Sequence, residues 1–328
     1  MQCYVTGATG YIGRHLIKAL LEQGHSVRAV VRPGNPIDDL TQSGVEVVQG
    51  EINDEDFIKQ TVKGMERVFH LAALTSPIDR HPDEFYRVNY EGHRTVVDMA
   101  NLSDAHRIVY VSCYLAIGPT PGIIADERYS HRHTPFYNYY HETKYLAHLE
   151  AGRYMGAGLP YVAVYPGMVY GPGDFAHGNR MTRYLLDMQK RRFPGILKPG
   201  SQVWNLVYIE DVVKGILLAG ETGRLGNNYI LGGDNLTVNE IAETVKQVTG
   251  KPRRPKKTTL AWAKSRSRLT DWCLSPFGKQ SQYPQGLLEI LSRDWALSSA
   301  KAEKHLGYTH ISFREGLQKT LDWSQNMK

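Results

Sequence analysis

A tyrosine and a lysine four residues apart form the clearest pair of reactive side chains in this sequence. Tyr140 and Lys144 lie in a stretch of helical pattern that runs to about Tyr154. Residues i and i+4 share one face of a helix, so both side chains point into the same space. A tyrosine hydroxyl normally has a pKa of about 10, which a neighbouring ammonium lowers by favouring the phenolate. The pair is therefore suited to exchanging a proton with a carbonyl or carbinol oxygen.

A glycine-rich segment near the start of the chain is suited to a second task, the binding of a diphosphate. It reads Thr6-Gly7-Ala8-Thr9-Gly10-Tyr11-Ile12-Gly13, directly after a strand-like segment and at the start of a helical one. A diphosphate needs backbone N–H groups at close range and a helix N-terminus aimed at it, and side chains on the turn would block that approach. A plain tight turn is the alternative, but the strand–loop–helix context favours dinucleotide binding.

The residue at the end of the second strand-like segment bears on the choice of dinucleotide. A carboxylate there accepts hydrogen bonds from an adenosine 2′-hydroxyl, whereas a cation favours a 2′-phosphate. This sequence has Arg32 at that place, and the next acidic residues are Asp38 and Asp39. We therefore expect NADP(H). NAD(H) stays open, because Arg32 can instead stack on the adenine.

The elements that must position these residues alternate between strands and helices. Short runs rich in valine, isoleucine and tyrosine predict buried strands at 2–6, 26–31, 45–49, 67–71, 107–112 and 161–165. Helical patterns include one that Gly24 ends, 54–62, 83–102, 140 to about 154, 211–219, 238–248, 298–305 and 313–323. This alternation predicts an α/β fold of the Rossmann type, with a doubly wound parallel sheet.

The alternation loosens after Gly171, where prolines and glycines divide the chain into shorter pieces. We expect residues 1–176, together with about 201–232, to form the dinucleotide-binding domain. About 177–200 and 233–328 are then expected to form a smaller, mostly C-terminal lobe that binds the substrate. Within it, the segment 252–285 is expected to be irregular, basic and aromatic.

The glycine loop and the Tyr140–Lys144 pair together resemble the extended short-chain dehydrogenase/reductase (SDR) family, over nearly the whole chain. The further matching motifs are GEI at 50–52, VFHLAA at 68–73, NYEG at 89–92, YPGMVYGP at 165–172 and VYIEDV at 207–212. Within the family, the sequence is most similar to the branch of dihydroflavonol reductases, 3β-hydroxysteroid dehydrogenases and hopanoid-associated sugar-epimerase-like proteins. The resemblance implies a nicotinamide-dinucleotide-dependent oxidoreductase.

The resemblance also assigns roles residue by residue. Tyr140 is implied to be the catalytic acid and base, and Lys144 to hold the nicotinamide ribose as well. The implied cofactor contacts are Gly7, Thr9, Gly10, Tyr11, Ile12, Gly13, Arg32, Glu51, Ile52, Ala72, Ala73, Lys144, Tyr165, Pro166, Met168 and Val169. His70 is expected to be a satisfied histidine in a core strand, and Asn89 a residue that anchors a helix.

One position departs from the family pattern. The family usually places a catalytic serine or threonine after the fifth strand, five residues before a glycine, and counting back from Gly118 gives Cys113. A hydroxyl there would hydrogen-bond the substrate oxygen, and a thiol is a weaker donor. Ser112 substitutes only if the strand has already turned, because neighbouring strand residues point to opposite faces. Thr75 is another candidate donor, and a nucleophilic Cys113 is a further alternative. The candidate catalytic residues are Tyr140, Lys144, Cys113 and Ser112.

Composition bounds the remaining classes of function. The 328 residues are 41% apolar and 22% charged, as in an ordinary globular enzyme. The three cysteines fit neither a disulfide framework nor a metal knuckle, and the histidines show no zinc-binding spacing, so no metal is expected. No apolar run approaches the ~20 residues that span a bilayer. The first strand begins at Gln2, so no signal peptide is expected, and we predict a cytoplasmic location.

The net charge of +6 is concentrated in one stretch. Between Thr244 and Thr270 there are nine basic residues and no acidic one, running from Lys246 to Arg268. Such a patch attracts an anionic substrate, an acidic partner, nucleic acid or a membrane surface, or is simply a solvated face. We expect no nucleic acid partner, and leave open a membrane-surface contact of residues 246–268. The family resemblance implies a homodimer, formed through a helical bundle that includes the Tyr140 helix.

The function expected from these features is reduction of a ketone, or oxidation of the secondary alcohol. The small-molecule substrate is expected to be fairly large and partly apolar, because Trp262, Leu269 and Trp272 are spaced to line one helical face. Ordinary core packing of these three residues is the alternative. Two other functions stay open: a nucleotide-sugar epimerase or dehydratase with tightly held NAD, and a dinucleotide-sensing regulator without turnover.

Overall fold

The computed structural model of the protein consists of strands and helices that alternate along the first two thirds of the chain. It describes residues 1–75, 81–129, 135–173, 175, 178–190, 192–250, 255–275 and 281–326. The strands are β1 (Gln2–Thr6), β2 (Ser26–Val31), β3 (Glu46–Gln49), β4 (Arg67–His70), β5 (Arg107–Val111), β6 (Tyr161–Pro166), β7 (Met168–Tyr170), β8 (Ile196–Leu197), β9 (Val203–Tyr208), β10 (Asn227–Leu231), β11 (Asp234–Thr237) and β12 (Lys257–Thr258).

The helices surround these strands. They are α1 (Tyr11–Glu22), α2 (Asp38–Gln42), α3 (Glu55–Val62), α4 (Pro82–Tyr86), α5 (Gly92–Leu102), α6 (Tyr139–Gly156), α7 (Arg180–Gln189), α8 (Ile209–Glu221), α9 (Val238–Thr249), α10 (Leu260–Leu274), α11 (Gln285–Leu291), α12 (Ala300–Leu306) and α13 (Phe313–Asn326). A π-helical turn at Arg87–Glu91 joins α4 to α5, and a 3₁₀ turn at Tyr114–Ala116 follows β5. None of the helices in the described ranges is long and apolar enough to cross a bilayer.

A seven-stranded parallel sheet organises the fold. Its spatial order is β3–β2–β1–β4–β5–β6–β10. The chain therefore builds outward from β1 in one direction and from β4 in the other. Ligands of such open sheets bind where the order reverses, at the carboxyl ends of the strands. Here that point lies between β1 and β4, and the glycine loop follows β1 directly.

Two apolar layers cover the two faces of this sheet. Alternation along β5 sends Val109 and Val111 into the layer with α1 and α8, and Ile108 and Tyr110 into the layer with α3, α5 and α6. The predicted doubly wound α/β fold is confirmed. The predicted strands also agree with the structure, apart from ends that differ by one residue.

Two smaller sheets complete the structure. In one, β9 pairs with β7 in parallel and with β11 in antiparallel orientation, and in the other β12 pairs with β8. Asn205 of β9 holds the first of these to the neighbouring loop, because its side chain accepts from the Gly233 N–H and donates to the Gly233 carbonyl, at 2.9 Å each. The division at 1–176 plus 201–232 against 177–200 plus 233–328 stays a prediction.

The expectation of an irregular segment at 252–285 was wrong for its central part, which forms α10. The Thr259 side chain caps this helix by accepting from the Trp262 N–H, at 3.3 Å. Its buried side contains the small residues Ala263 and Ser267, so no apolar stripe in the sequence marks the side that packs against the protein. Residues 251–254 and 276–280 lie outside the described ranges, and Lys251, Arg253 and Arg254 of the basic stretch are among them.

The three large apolar residues of α10 were expected either to line a substrate pocket or to pack in the core, and the structure shows neither. Trp262, Leu269 and Trp272 are 53%, 62% and 75% exposed. They are not core residues, and they lie on the protein surface rather than in an enclosed cleft. Their spacing on one helical face is confirmed, but they no longer support an apolar substrate pocket.

Candidate functional site

The backbone of the glycine loop leaves no room for side chains. Gly7 has a φ of +74°, in the left-handed region, and a Cβ built on it would lie 2.7 Å from the Ala72 nitrogen. A Cβ on Gly13 would collide with the Gly7 carbonyl oxygen. Gly10 begins α1 without a side-chain cap, and the first turn of α1 contains no acidic residue. The first N–H groups of α1 are thus available to an anion, and the loop fits the diphosphate of a dinucleotide.

Other side chains support this loop without filling it. Arg14 of α1 donates through Nε to the Thr9 carbonyl, at 3.1 Å, and forms an ion pair with Asp39. Asn35 donates to the Thr9 hydroxyl at 3.4 Å. Tyr11 is a buried residue of α1, and Ile12 is partly buried. Thr9 is therefore held by residues from both sides, and its contact with a cofactor stays a prediction.

Arg32 follows β2 directly and is half exposed. Its Nη1 atom lies 3.9 Å from the Glu84 carboxylate, a distance at which the two charges attract weakly. Asp39 is engaged by Arg14 instead. The arginine is thus available at the end of β2, the place that selects between a 2′-hydroxyl and a 2′-phosphate.

The predicted adenosine contacts beyond Arg32 differ in accessibility. Ile52 is buried and packs against Gly92, so it would meet an adenosine through its main chain. Glu51, Ala72 and Ala73 are partly exposed. Their cofactor contacts stay predictions.

The carboxyl end of β4 is held by a buried hydrogen-bond network. The Thr6 hydroxyl accepts from the Ala72 N–H at 3.2 Å and bonds the Nδ1 atom of His70 at 2.7 Å. Burial, together with the smaller effect of the nearby Lys144 charge, lowers the pKa of His70 to about 3. His70 is therefore neutral and structural, and the expectation of a satisfied core histidine is confirmed.

Asn89 ties this edge of the sheet to the helix that carries the tyrosine. Its side chain accepts from the Leu74 N–H at 2.7 Å and donates to the Leu74 carbonyl at 3.1 Å. It also donates to the hydroxyl of Thr143, one residue before Lys144, at 3.0 Å. The expected anchoring role of Asn89 is confirmed.

Tyr140 lies in the first turn of α6, beside Cys113 at the end of β5. The Asn138 side chain caps the helix by accepting from the His141 N–H at 2.8 Å. Burial raises the pKa of Tyr140 well above its usual value, and the hydrogen-bonded Cys113 thiol raises it further. The structure therefore brings Tyr140 and Cys113 together, as the family pattern implies for the position five residues before Gly118.

The ammonium of Lys144 interacts with β5, whereas its spacing from Tyr140 predicts an interaction with the phenol. Its ammonium is buried and donates to the Tyr110 hydroxyl at 3.0 Å and to the Val111 carbonyl at 3.4 Å, and it lies 4.8 Å from the centre of the Tyr110 ring. The expectation that it lowers the pKa of Tyr140 was wrong. The physical reason is that the ammonium is directed at β5, so burial dominates the pKa of Tyr140.

Tyr110 and His93 form a buried aromatic stack behind Lys144 that the sequence analysis missed. The His93 ring lies 4.1 Å from the Tyr110 ring, and the His70 ring lies 5.6 Å from it. Burial lowers the pKa of His93 well below its usual value, and His70 and Lys144 contribute, so the stack holds no second charge. The alternation of β5 was the available signal, because it directs Tyr110 towards α6.

Ser112 and Thr75 are the alternative donors to the substrate oxygen. Ser112 donates its N–H to the Val164 carbonyl at 2.8 Å, so the strand geometry continues through it and its side chain points away from that of Cys113. Its hydroxyl is buried, and no hydrogen bond to it is found among the described residues. Thr75 is exposed, and its carbonyl accepts from Arg180 at 2.8 Å. A catalytic role for Ser112 stays a prediction that the geometry does not favour.

Arg180, the first residue of α7, is a second cation close to Tyr140. Burial lowers the pKa of Arg180, while its interactions with Tyr140 and Tyr114 oppose that shift. No sequence motif identifies Arg180 as a site residue, and helix α7 itself was not predicted. Its approach to Tyr140 is a consequence of how α7 packs.

The segment predicted to face the nicotinamide carboxamide runs from the end of β6 into β7. Tyr165 is buried and its hydroxyl bonds the Nδ1 atom of His148 at 2.8 Å, and Met168 is buried as well. Pro166 ends β6, and Val169 is partly buried. The contacts of these residues with a cofactor stay predictions. Among the described residues, no cluster of three or more histidine, cysteine, aspartate or glutamate side chains could hold a metal ion.

Comparison with known proteins agrees with this geometry. The model of the NAD dependent epimerase/dehydratase family matches residues 3–232. A protein of Synechocystis sp., named provisionally as a dihydroflavonol 4-reductase, is 31% identical, over 98% of this chain and 94% of that protein. The 4-hydroxy-2-methyl-3-oxo-4-farnesyl-3,4-dihydroquinoline-1-oxide ketoreductase of Stigmatella aurantiaca is 29% identical, over 97% and 95%.

A solved structure shows the same fold at lower identity. The Thermus thermophilus UDP-glucose 4-epimerase, in complex with NAD, has a TM-score of 0.77 and 24% identity, and covers all of both chains. The resemblance to the extended SDR family, noted from the motifs, is confirmed.

Gly13→Ala tests the diphosphate site. The added Cβ meets the Gly7 carbonyl and forces the loop open, so we expect the Kd for NADPH to rise about ten- to hundredfold in a fluorescence titration. The control is Gly152→Ala in α6, where a Cβ meets nothing within 4 Å. That change should leave the Kd unaltered and stabilise the helix slightly. An unchanged Kd in Gly13→Ala with a retained fold would contradict the site.

Proposed function

This chain belongs to the NAD dependent epimerase/dehydratase family and is an NAD(P)-dependent enzyme of the SDR type, and from that premise we propose that it is an NADP(H)-dependent ketoreductase. The observation that carries the proposal is the phenol of Tyr140, buried at the carboxyl end of β5 next to Cys113. The substrate is a ketone of a fairly large, partly apolar molecule.

The protonation state of Tyr140 favours reduction over oxidation. The phenol carries its proton at neutral pH, since the ordinary tyrosine pKa is about 10 and burial raises that of Tyr140 above it. A reduced nicotinamide, when bound, would supply the hydride for the carbonyl carbon. The phenol then donates its proton to the carbonyl oxygen as negative charge develops there. Oxidation of an alcohol needs the phenolate instead, which burial disfavours.

Two neighbouring groups assist Tyr140 in this proposal. Lys144 holds the start of α6 against β5 through Tyr110 and would reach the nicotinamide ribose. Arg180 provides positive charge near the phenol, which stabilises the phenolate left after proton transfer. The Cys113 thiol is hydrogen-bonded to the phenol and would offer a weak hydrogen bond to the same substrate oxygen.

The proposed substrate class is supported by the relatives, since the exposed tryptophans no longer argue for it. The similar Stigmatella protein is named as a ketoreductase of a farnesylated quinoline, which is a large and partly apolar ketone. The rival function is a nucleotide-sugar epimerase, and the fold shared with UDP-glucose 4-epimerase supports it. An epimerase retains its cofactor through purification and consumes no reductant. A dinucleotide sensor has no use for the Tyr140–Lys144 pair, so we place it last.

We also propose a homodimer formed through α5 and α6. Leu102 of α5 and Leu149 of α6 are 67% and 49% exposed, although apolar side chains favour burial. Pairing of the two helices with their copies would cover both residues.

Tyr140→Phe is the direct test of the catalytic proposal. Loss of the proton donor should lower kcat for ketone reduction about 10²- to 10⁴-fold, with the Kd for NADPH nearly unchanged. NADPH oxidation over a panel of apolar ketones measures the first, and fluorescence titration the second. Tyr139→Phe, which changes the adjacent phenol of α6, is the matched control and should retain activity. Retained activity in Tyr140→Phe would refute the assignment, and cofactor that copurifies without NADPH consumption would favour the epimerase.

Cys113→Ser tests the departure from the family pattern. A serine hydroxyl is a stronger donor to the substrate oxygen, so we expect a kcat equal to the native value or higher by up to about tenfold. Cys273→Ser, which changes an exposed thiol on α10, is the control and should have no effect. A large loss of kcat in Cys113→Ser would show that the sulfur has a specific function.

Arg32→Ser tests the preference for NADP(H). If the guanidinium contacts a 2′-phosphate, the Kd for NADPH should rise about tenfold or more, while the Kd for NADH changes little. Arg314→Ser, on the exposed side of α13, is the charge-matched control. An equal weakening of both cofactors would mean that Arg32 stacks on the adenine and selects neither.

A further inference from the structure

The outward face of α10 is an apolar stripe on an otherwise polar helix. At about 100° per residue, Trp262, Leu269 and Trp272 fall within roughly 80° of the helix circumference. All three are more than half exposed, and Trp272 is 75% exposed. The opposite side of α10 is buried through Ala263 and Ser267. The helix is therefore attached by its small residues and presents its largest apolar side chains to the outside.

Basic side chains border this stripe on both edges. Arg266 and Arg268 are exposed and lie at either side of the three apolar residues, roughly 40° beyond them in each direction. The Arg266 guanidinium lies 5.6 Å from the Trp262 ring and 4.7 Å from the Phe193 ring, which leaves it at the edge of the stripe. Lys256 and Lys257, just before the helix, are exposed as well.

The acidic residue of α10 does not face the same way. Asp271 accepts from the Ser281 N–H, at 2.6 Å, on the side that packs against the protein. Lys264 is likewise turned inward, where it forms an ion pair with Glu289 of α11. The outward face of α10 thus combines tryptophan and leucine with positive charge and no negative charge.

We propose that this face of α10 is an interfacial helix that docks on an anionic phospholipid surface. Tryptophan is favoured at the boundary between headgroups and acyl chains, because its ring is apolar and its indole N–H is polar. A helix with an apolar stripe and arginine or lysine beside it lies in the plane of that boundary. The basic residues complement anionic headgroups, which is the charge argument for this occupant over a neutral surface.

Other occupants fit the stripe less well. A second copy of the chain would set the bordering arginines against one another, since a two-fold contact pairs the same surface with itself. Nucleic acid would pair with the basic residues but leave Leu269 without a partner, because a phosphate backbone binds basic side chains and not aliphatic ones. An anionic lipid surface satisfies the apolar and the basic residues together.

The position of α10 connects the docking face to the candidate active site. Arg268 donates to Gln285 of α11, at 3.2 Å. In turn, Gly286 of α11 packs against the Tyr137 carbonyl, three residues before Tyr140. Docking through α10 would therefore hold the lobe beside Tyr140 at the membrane surface, where partly apolar molecules concentrate.

The test is cosedimentation of the intact protein with lipid vesicles, without substrate or cofactor. Native protein should bind vesicles that contain about one third phosphatidylglycerol. Its binding should be weak to vesicles of phosphatidylcholine alone, and weak to the anionic vesicles at high salt. Trp262→Ala/Trp272→Ala should lower the partition coefficient at least about tenfold, and Arg266→Gln/Arg268→Gln about tenfold or more. Tryptophan fluorescence quenched by brominated lipid should report the insertion directly.

Matched control variants distinguish docking through this face from nonspecific vesicle binding. Ile124→Ala/Leu225→Ala removes two exposed apolar side chains elsewhere, and Lys59→Gln/Lys63→Gln removes two exposed charges on and beside α3. Neither should change the partition coefficient. Absence of binding by the native protein, or equal loss in the controls, would overturn the proposal. A tryptophan variant that changes the oligomeric state in ultracentrifugation and not vesicle binding would assign the face to a second copy and overturn it too. Because no turnover is measured, these results stand apart from the proposed ketoreductase activity.

Discussion

The geometry of the candidate site depends on the need to satisfy the buried ammonium of Lys144. A buried charge without partners costs several kcal/mol, of the order of the whole stability of a domain. The Tyr110 hydroxyl and the Val111 carbonyl, both on β5, supply the partners. Because Tyr140 lies one turn before Lys144, these bonds hold the start of α6 against the end of β5. Cys113, two residues beyond Val111, then meets the phenol.

The spacing of Tyr140 and Lys144 suggests that the lysine acts on the phenol directly. In the structure, positioning the helix and setting the environment of the phenol are separate roles. The ammonium organises the helix, and the electrostatic environment of the phenol comes mainly from burial and from the thiol. A phenol that keeps its proton is suited to donating it. Arg180, from a helix beyond the main sheet, is a cation that interacts with the phenol. The site thereby combines a protonated acid with nearby positive charge, which suits the proposed carbonyl reduction.

The segment that contains α10 and α11 faces two different environments. Its inner side packs α11 against the segment that leads into α6, which requires close contact and small residues such as Gly286. Its outer side presents the tryptophans of α10, whose exposure is unfavourable in water. A membrane surface would relieve that exposure and would also supply partly apolar substrates. The proposed docking and the proposed substrate class are consistent, although each rests on separate observations.

The sequence by itself determined the doubly wound sheet, the glycine loop and the pairing of Tyr140 with Lys144 on one helix face. These follow from contacts between neighbours in the chain, where strand alternation, helix period and turn chemistry suffice. Tertiary structure alone decided what the paired side chains touch. The partner of Lys144 lies 34 residues away, and Arg180 arrives on a helix without a motif. Likewise, the spacing of Trp262 and Trp272 is the same for a buried and an exposed face. What packs against a helix depends on the whole fold, which the residue spacing within that helix does not specify.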